Sequence, residues 1–152
     1  MQFRTLLAGS AMLALLAGCA SSGPSETGTS GEAIQANSAT YQGTLPCRNC
    51  DGIDLTVTME GDEQSGAAQR SFDLTAAYRN HPQNPPEESY AGNWEVLTGT
   101  ADNPEATVYE LVPNGEGQTY YFLRVNPQTL ELIDPQRRRF QNNSMLQLTR
   151  QQ

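Results

Sequence analysis

Through the middle of the chain, apolar and polar residues take turns. Ile53, Leu55, Val57 and Met59 are interleaved with Asp54, Thr56, Thr58 and Glu60. Phe72, Leu74, Ala76 and Tyr78 alternate in the same way with Ser71, Asp73, Thr75 and Arg79. A period of two sends successive side chains to opposite faces of an extended strand, one face dry and the other wet. Further β-like runs cover 92–98, 106–112, 119–125, 129–134 and 145–149. Turn formers stand between the runs: Glu60-Gly61-Asp62, Asp102-Asn103-Pro104, Pro113-Asn114-Gly115 and Asn126-Pro127. His81–Glu88 holds three prolines and reads as a loop. No stretch sustains a helical period, and no internal repeat is present. Seven or eight short strands at this spacing predict an all-β domain, an antiparallel barrel or a sandwich. Open edges would invite aggregation, so a small closed antiparallel barrel is the expected solution.

The alternation does not extend to the N-terminus. Met1–Arg4 is a short positive segment, and Leu6 to Leu16 is an unbroken run of apolar and small residues. That run is too short to span a hydrocarbon core, which needs about 20 residues. It closes on Leu16-Ala17-Gly18-Cys19, where a thiol can carry a thioether-linked diacylglycerol and the freed α-amine a further chain. The leader resembles the lipobox of bacterial lipoproteins. That resemblance makes 1–18 a signal peptide and Cys19 the lipidated residue, and Ala20 after it implies export to the outer membrane. Residues 19–39 are rich in Ser, Gly, Thr, Ala and Glu and read as a flexible tether. The folded domain is expected over 40–152.

Charge and composition narrow the function. The chain has 9 basic residues, all arginine, against 17 acidic ones. Removing the leader takes away Arg4 and leaves a formal charge of −9, which disfavours nucleic acid as a partner. With no lysine, one histidine and no HExxH, Walker-type or GxSxG pattern, the chain lacks much of the usual catalytic equipment, and no enzymatic activity is expected.

Cys47 and Cys50 form a CxxC pair in a chain expected to be exported, where an oxidising compartment favours their pairing. Stapling alone is a weak reason for the spacing, because a four-residue loop yields only about 2 kcal/mol. Two thiolates would also suit Cu(I) or Zn(II), with His81 as a further ligand. Thioredoxin-like catalysis fits poorly, since Asp51-Gly52 leads straight into a strand rather than a helix. A structural disulfide, a metal site and a redox pair all remain open readings.

The segment Tyr41-Gln42-Gly43-Thr44-Leu45-Pro46-Cys47-Arg48-Asn49-Cys50-Asp51-Gly52-Ile53, followed by the strand to Met59, resembles the opening of the NlpE N-terminal domain. Gly92-Asn93-Trp94, Tyr109-Glu110-Leu111 and the apolar run at Met145–Leu148 continue the likeness, which covers roughly residues 40–150. The resemblance implies a small lipocalin-like β-barrel in an outer-membrane lipoprotein facing the periplasm. It further implies roles in copper resistance and envelope-stress sensing, with a stress-sensor protein as partner. Longer members add a C-terminal OB-fold domain, which is not expected here. The alternative is a lipocalin-like carrier of a small apolar ligand. Third comes a redox enzyme or chaperone using the two cysteines.

Among other residues, Met59 shares the parity of Ile53 and Val57 and is expected in the core. Trp94 reads as a core or cavity aromatic. The Arg137–Arg139 run is expected on a solvated strand edge. Glu87 and Glu88 read as loop neighbours with no catalytic pairing.

Overall fold

A computed structural model describes residues 38–152. It contains eight strands: β1 (Ser38–Leu45), β2 (Gly52–Glu60), β3 (Ser71–Arg79), β4 (Glu88–Thr98), β5 (Thr107–Pro113), β6 (Tyr120–Asn126), β7 (Thr129–Ile133) and β8 (Gln147–Arg150). Each pairs antiparallel with the next. β8 returns to β1 through Tyr41 opposite Arg150 and Gln42 opposite Thr149, closing a barrel. Between barrel and sandwich, the barrel is what forms. Every strand pairing lies between Ser38 and Arg150, so this segment holds a complete hydrogen-bonded fold with its own core.

Register decides which parity faces inward. Leu55 lies opposite Gly43 on one side and Ala76 on the other; Val57 lies opposite Tyr41 and Leu74. The same face continues through Tyr90, Trp94, Leu111, Phe122, Leu130 and Leu148. Val57, Leu74, Leu111, Phe122, Leu130 and Leu148 have no exposed surface. The middle of the barrel is therefore packed with side chains rather than hollow.

Two glycines let the wall close. A Cβ at Gly43 would stand 2.4 Å from the Gln147 carbonyl oxygen and 2.7 Å from Leu148 Cδ2. Gly43 thus leaves the space into which β8 descends. A Cβ at Gly92 would stand 2.0 Å from the Val112 carbonyl oxygen, so β5 could not approach β4 there over any larger residue.

A smaller apolar cluster lies on the outer wall. Val108, Leu123 and Ile133 are buried there, with Leu97, Ala106 and Tyr121 against them. The segment that leaves β7 lies on this side. Arg137 donates to the Thr98 carbonyl at 3.0 Å, and the Ala101 N–H donates to the Arg137 carbonyl at 2.9 Å.

The structure adjusts several expectations. β1 starts at Ser38, two residues before the expected domain boundary. β4 starts at Glu88, so the proline-rich loop is shorter than expected and Glu88 belongs to a strand. The last strand begins at Gln147 rather than Met145, because Asn143–Met145 forms a single 3-10 turn. Arg137–Arg139 is not a strand edge. Asp134-Pro135 ends the pairing, Arg137 turns the chain at φ 61°, and Arg138 and Arg139 fold back onto Asp134 and Glu131.

Candidate functional site

The packed middle divides the interior into two ends, and both contain chemistry. Cys47 and Cys50 lie in the β1–β2 connection, joined as a disulfide with Cα atoms 5.3 Å apart. Both are partly exposed. The connection is tied to the β3–β4 loop beside it. Asn80 Nδ2 donates to Asp51 Oδ2 at 2.6 Å, and the Asp51 N–H donates to the Arg79 carbonyl at 3.0 Å. His81 follows Asn80, so the fold brings it to the same end. Its Nδ1 accepts the Gln83 N–H at 3.1 Å, and its ring meets Tyr78 edge-on. Among the described residues no three His, Cys, Asp or Glu side chains converge as a metal cluster. Cys19 lies outside the described residues.

Inside this end is a cavity of about 320 Å3, with Tyr78, Tyr90, Tyr120 and Glu88 on its wall. Glu88 lies opposite Ala76 and so points inward, where Tyr90 donates to it at 3.0 Å and Tyr78 at 3.3 Å. Burial first, then the Glu88 charge, holds the Tyr78 phenol above its usual range. For Tyr90 the hydrogen bond to Glu88 is the largest cause of the same upward shift.

At the opposite end, where β1 begins, a larger cavity of about 400 Å3 is lined by Ala39, Tyr41, Met59, Trp94, Tyr109, Arg124 and Arg150, with Glu63 above them. Trp94 is 2% exposed, and its Nε1 donates to the Glu60 carbonyl at 2.9 Å. The Arg70 guanidinium stacks over the indole at 5.3 Å. Met59 is buried, as its parity predicts. Glu63 reaches down from the β2–β3 loop, accepts the Tyr109 hydroxyl at 2.5 Å and pairs with Arg124. Burial, followed by the hydrogen bond to Glu63, raises the Tyr109 phenol well above its usual range. Tyr41 is raised by burial, against the opposing pull of Arg150 and then Arg124.

The sequence alone marks neither Arg124, Arg150 nor Glu63 as a site residue, marks Tyr109 only as part of a strand, and places Glu88 in a loop. A signal was present for the strand residues. Arg124 shares the parity of Tyr120 and Phe122, Arg150 that of Leu148, and Glu88 that of Tyr90. A charge on the dry parity of a strand end marks a polar group drawn into a barrel mouth. Glu63 gives no such signal, because nothing in a loop fixes where its side chain points.

The model of the NlpE N-terminal domain family matches residues 41–143, more than half of the chain. The chain belongs to the NlpE N-terminal domain family. In this NlpE domain the motif from Tyr41 to Ile53 has a physical basis. Tyr41 and Leu45 are buried in the barrel, Gly43 admits β8, and the cysteines cap the hairpin. The fold is the small lipocalin-like barrel that the resemblance implies, with eight strands. No curated protein and no solved structure matches the chain.

Proposed function

We propose that this NlpE domain is the non-enzymatic working part of an outer-membrane lipoprotein, anchored through Cys19, that serves copper homeostasis or envelope-stress sensing through the Cys47–Cys50 pair. A periplasm-exposed stress-sensor protein would be its partner. What supports this reading is placement. Ser38 stands at one end of β1 and the disulfide just beyond the other, about 23 Å along a strand of this length. A chain tethered upstream of Ser38 would hold the cysteines toward the side away from its anchor. The local structure also speaks against redox catalysis, since Gly52 opens a strand and supplies no helix N-terminus to lower a thiol pKa.

Exchange with an external dithiol, which supplies two electrons and is itself oxidised to a disulfide, would open a four-residue ring at a cost of about 2 kcal/mol and leave two thiols whose deprotonated forms suit Cu(I). The donor set fits a soft monovalent ion better than a closed zinc site, which takes four protein ligands. A third ligand would come from movement of His81 or from the partner. The test is a competition titration of the reduced protein against a Cu(I) chelator, beside Cys47→Ser/Cys50→Ser. Copper uptake by the parent and not by the double variant is expected. Equal uptake by both would remove the site, and uptake by neither would remove copper from the reading.

A second reading, a carrier of a small apolar ligand, is favoured by the cavity of about 400 Å3 at the Ser38 end. Ligand pockets commonly span roughly 300–1,000 Å3.

A further inference from the structure

The cavity at the Ser38 end has an apolar body and a charged mouth. Ala39, Met59 and Trp94 supply the body. Arg124 and Arg150 project into the mouth from the inward parity of β6 and β8, beside the phenols of Tyr41 and Tyr109. Two half-buried guanidiniums with several N–H donors each give this mouth the fork geometry that a carboxylate matches. One carboxylate already does so: Glu63 sits on both Tyr109 and Arg124. The other acid on this wall, Asp62, is engaged elsewhere, accepting the Gln64 N–H at 2.9 Å and the Ser65 N–H at 2.8 Å. Arg150 has no hydrogen-bonded side-chain partner among the described residues.

We propose that this mouth is a binding site for a short amphiphile with an anionic head, of the medium-chain carboxylate class, and that Glu63 is a latch occupying the head-group position. The proposal rests on the cavity of the second reading and replaces its apolar ligand with a charged one. The geometry favours an exchangeable latch. Glu63 is carried by a surface loop, and the Arg124 and Glu63 side chains keep 37% and 30% of their surface exposed, so water can reach the pair. An entering carboxylate takes over the Tyr109 hydroxyl and Arg124 and adds Arg150, which Glu63 does not engage. The displaced Glu63 swings into water with its charge screened, and contact with the second arginine is what an entering carboxylate gains over the latch. Depth sets the tail length. Val57, Leu74, Leu111 and Leu148 close the interior below with no exposed surface, so a long acyl chain has nowhere to go.

Trp94, the chain's single tryptophan, lines the cavity and reports on it. The experiment titrates the soluble segment 38–152 with octanoate and with octanol while following Trp94 fluorescence. Octanoate is expected to bind more tightly than octanol. Glu63→Gln should tighten octanoate about tenfold and Arg150→Gln should weaken it about tenfold, the scale of one charge-assisted hydrogen bond, with octanol unchanged in both. Equal affinity for the two probes overturns the charged site while leaving the apolar-carrier reading in place. No response to either probe overturns both. An octanoate-to-octanol ratio that ignores Glu63→Gln overturns the latch.

Discussion

A carboxylate with no exposed surface in the wall of a barrel must be neutralised where it stands. Glu131 has none, and it lies on the outward parity of β7, opposite Leu123 and Gln147. Arg139 meets it with both faces of its fork, Nε to Oε1 and Nη2 to Oε2, each at 2.8 Å. Gln147 Nε2 adds a weaker contact at 3.3 Å. The arginine keeps 40% of its side chain in water, so its own desolvation is modest while the glutamate's is nearly complete. Removing the arginine alone strands a buried charge. Arg139→Ala should therefore destabilise the barrel by about 2–4 kcal/mol, toward the lower side of what breaking a fully buried pair costs. Arg139→Met/Glu131→Leu should recover most of that loss, because an apolar pair leaves nothing unpaired. Urea denaturation of the three proteins measures both. If the single and double variants unfold at the same midpoint, the ion pair is not what holds this wall.

At the scale of elements, the weakest seam of the barrel is where it closes. β8 has four residues, and only two of its positions pair with β1. Supplementary hydrogen bonds tie its end down: the Arg150 N–H donates to the Gln128 carbonyl at 2.8 Å, and the Gln151 N–H to Thr40 at 2.8 Å. Gly43 is what allows this approach. Gly43→Ala puts a methyl against the Gln147 backbone, which has no rotamer with which to yield. A cost of about 1–3 kcal/mol is expected, as for overpacking elsewhere. The loss should be local, with amide hydrogen exchange rising first in β8 and the facing half of β1 and remaining slow in β2 and β3. Uniform acceleration across all strands would contradict a seam that opens separately. The long strands were legible in sequence because an unbroken period of two survives in them, as in Leu55–Val57–Met59 and Phe72–Leu74–Ala76. β8 was misplaced by two residues, because Met145 and Leu146 are apolar for different reasons. Leu146 is buried in the core, whereas Met145 ends a 3-10 turn and is 57% exposed. The arginine run was misread because a strand edge and a folded-back loop can carry the same residues, and only the position of Glu131 distinguishes them. Of the candidate sites, the cysteine pair was legible from its motif. The charged mouth was legible only in part: Arg124 and Arg150 stand on the dry parity of their strands, but nothing in the sequence brings them together with Glu63 from a distant loop.

For the whole molecule, the distribution of polarity decides how it can meet a membrane. The middle of the inner face is dry, with polar groups only at its two ends, and the outer face carries Asp54, Thr56, Thr58, Asp73, Thr75, Glu95 and Glu110. A barrel that crosses a bilayer has the reverse pattern, an apolar band outside and a polar lumen. The exposed large apolar residues, Val112, Val125, Phe140 and Met145, lie on four different segments and form no such band. Among the described residues no helix is long and apolar enough to cross either. The membrane attachment proposed above would then come from outside the barrel, through the thiol of Cys19. Acyl chains contribute about 0.8 kcal/mol per buried CH2, so two or three chains on one residue hold a protein essentially permanently. If Cys19 is the proposed anchor, Cys19→Ala would remove the thioether and with it every acyl chain. The full-length variant, fractionated beside the parent, should move from the membrane pellet to the soluble envelope fraction, with the barrel still folded by circular dichroism. A variant that pellets as firmly as the parent would place the attachment in the leader or in a partner and overturn the anchor at Cys19.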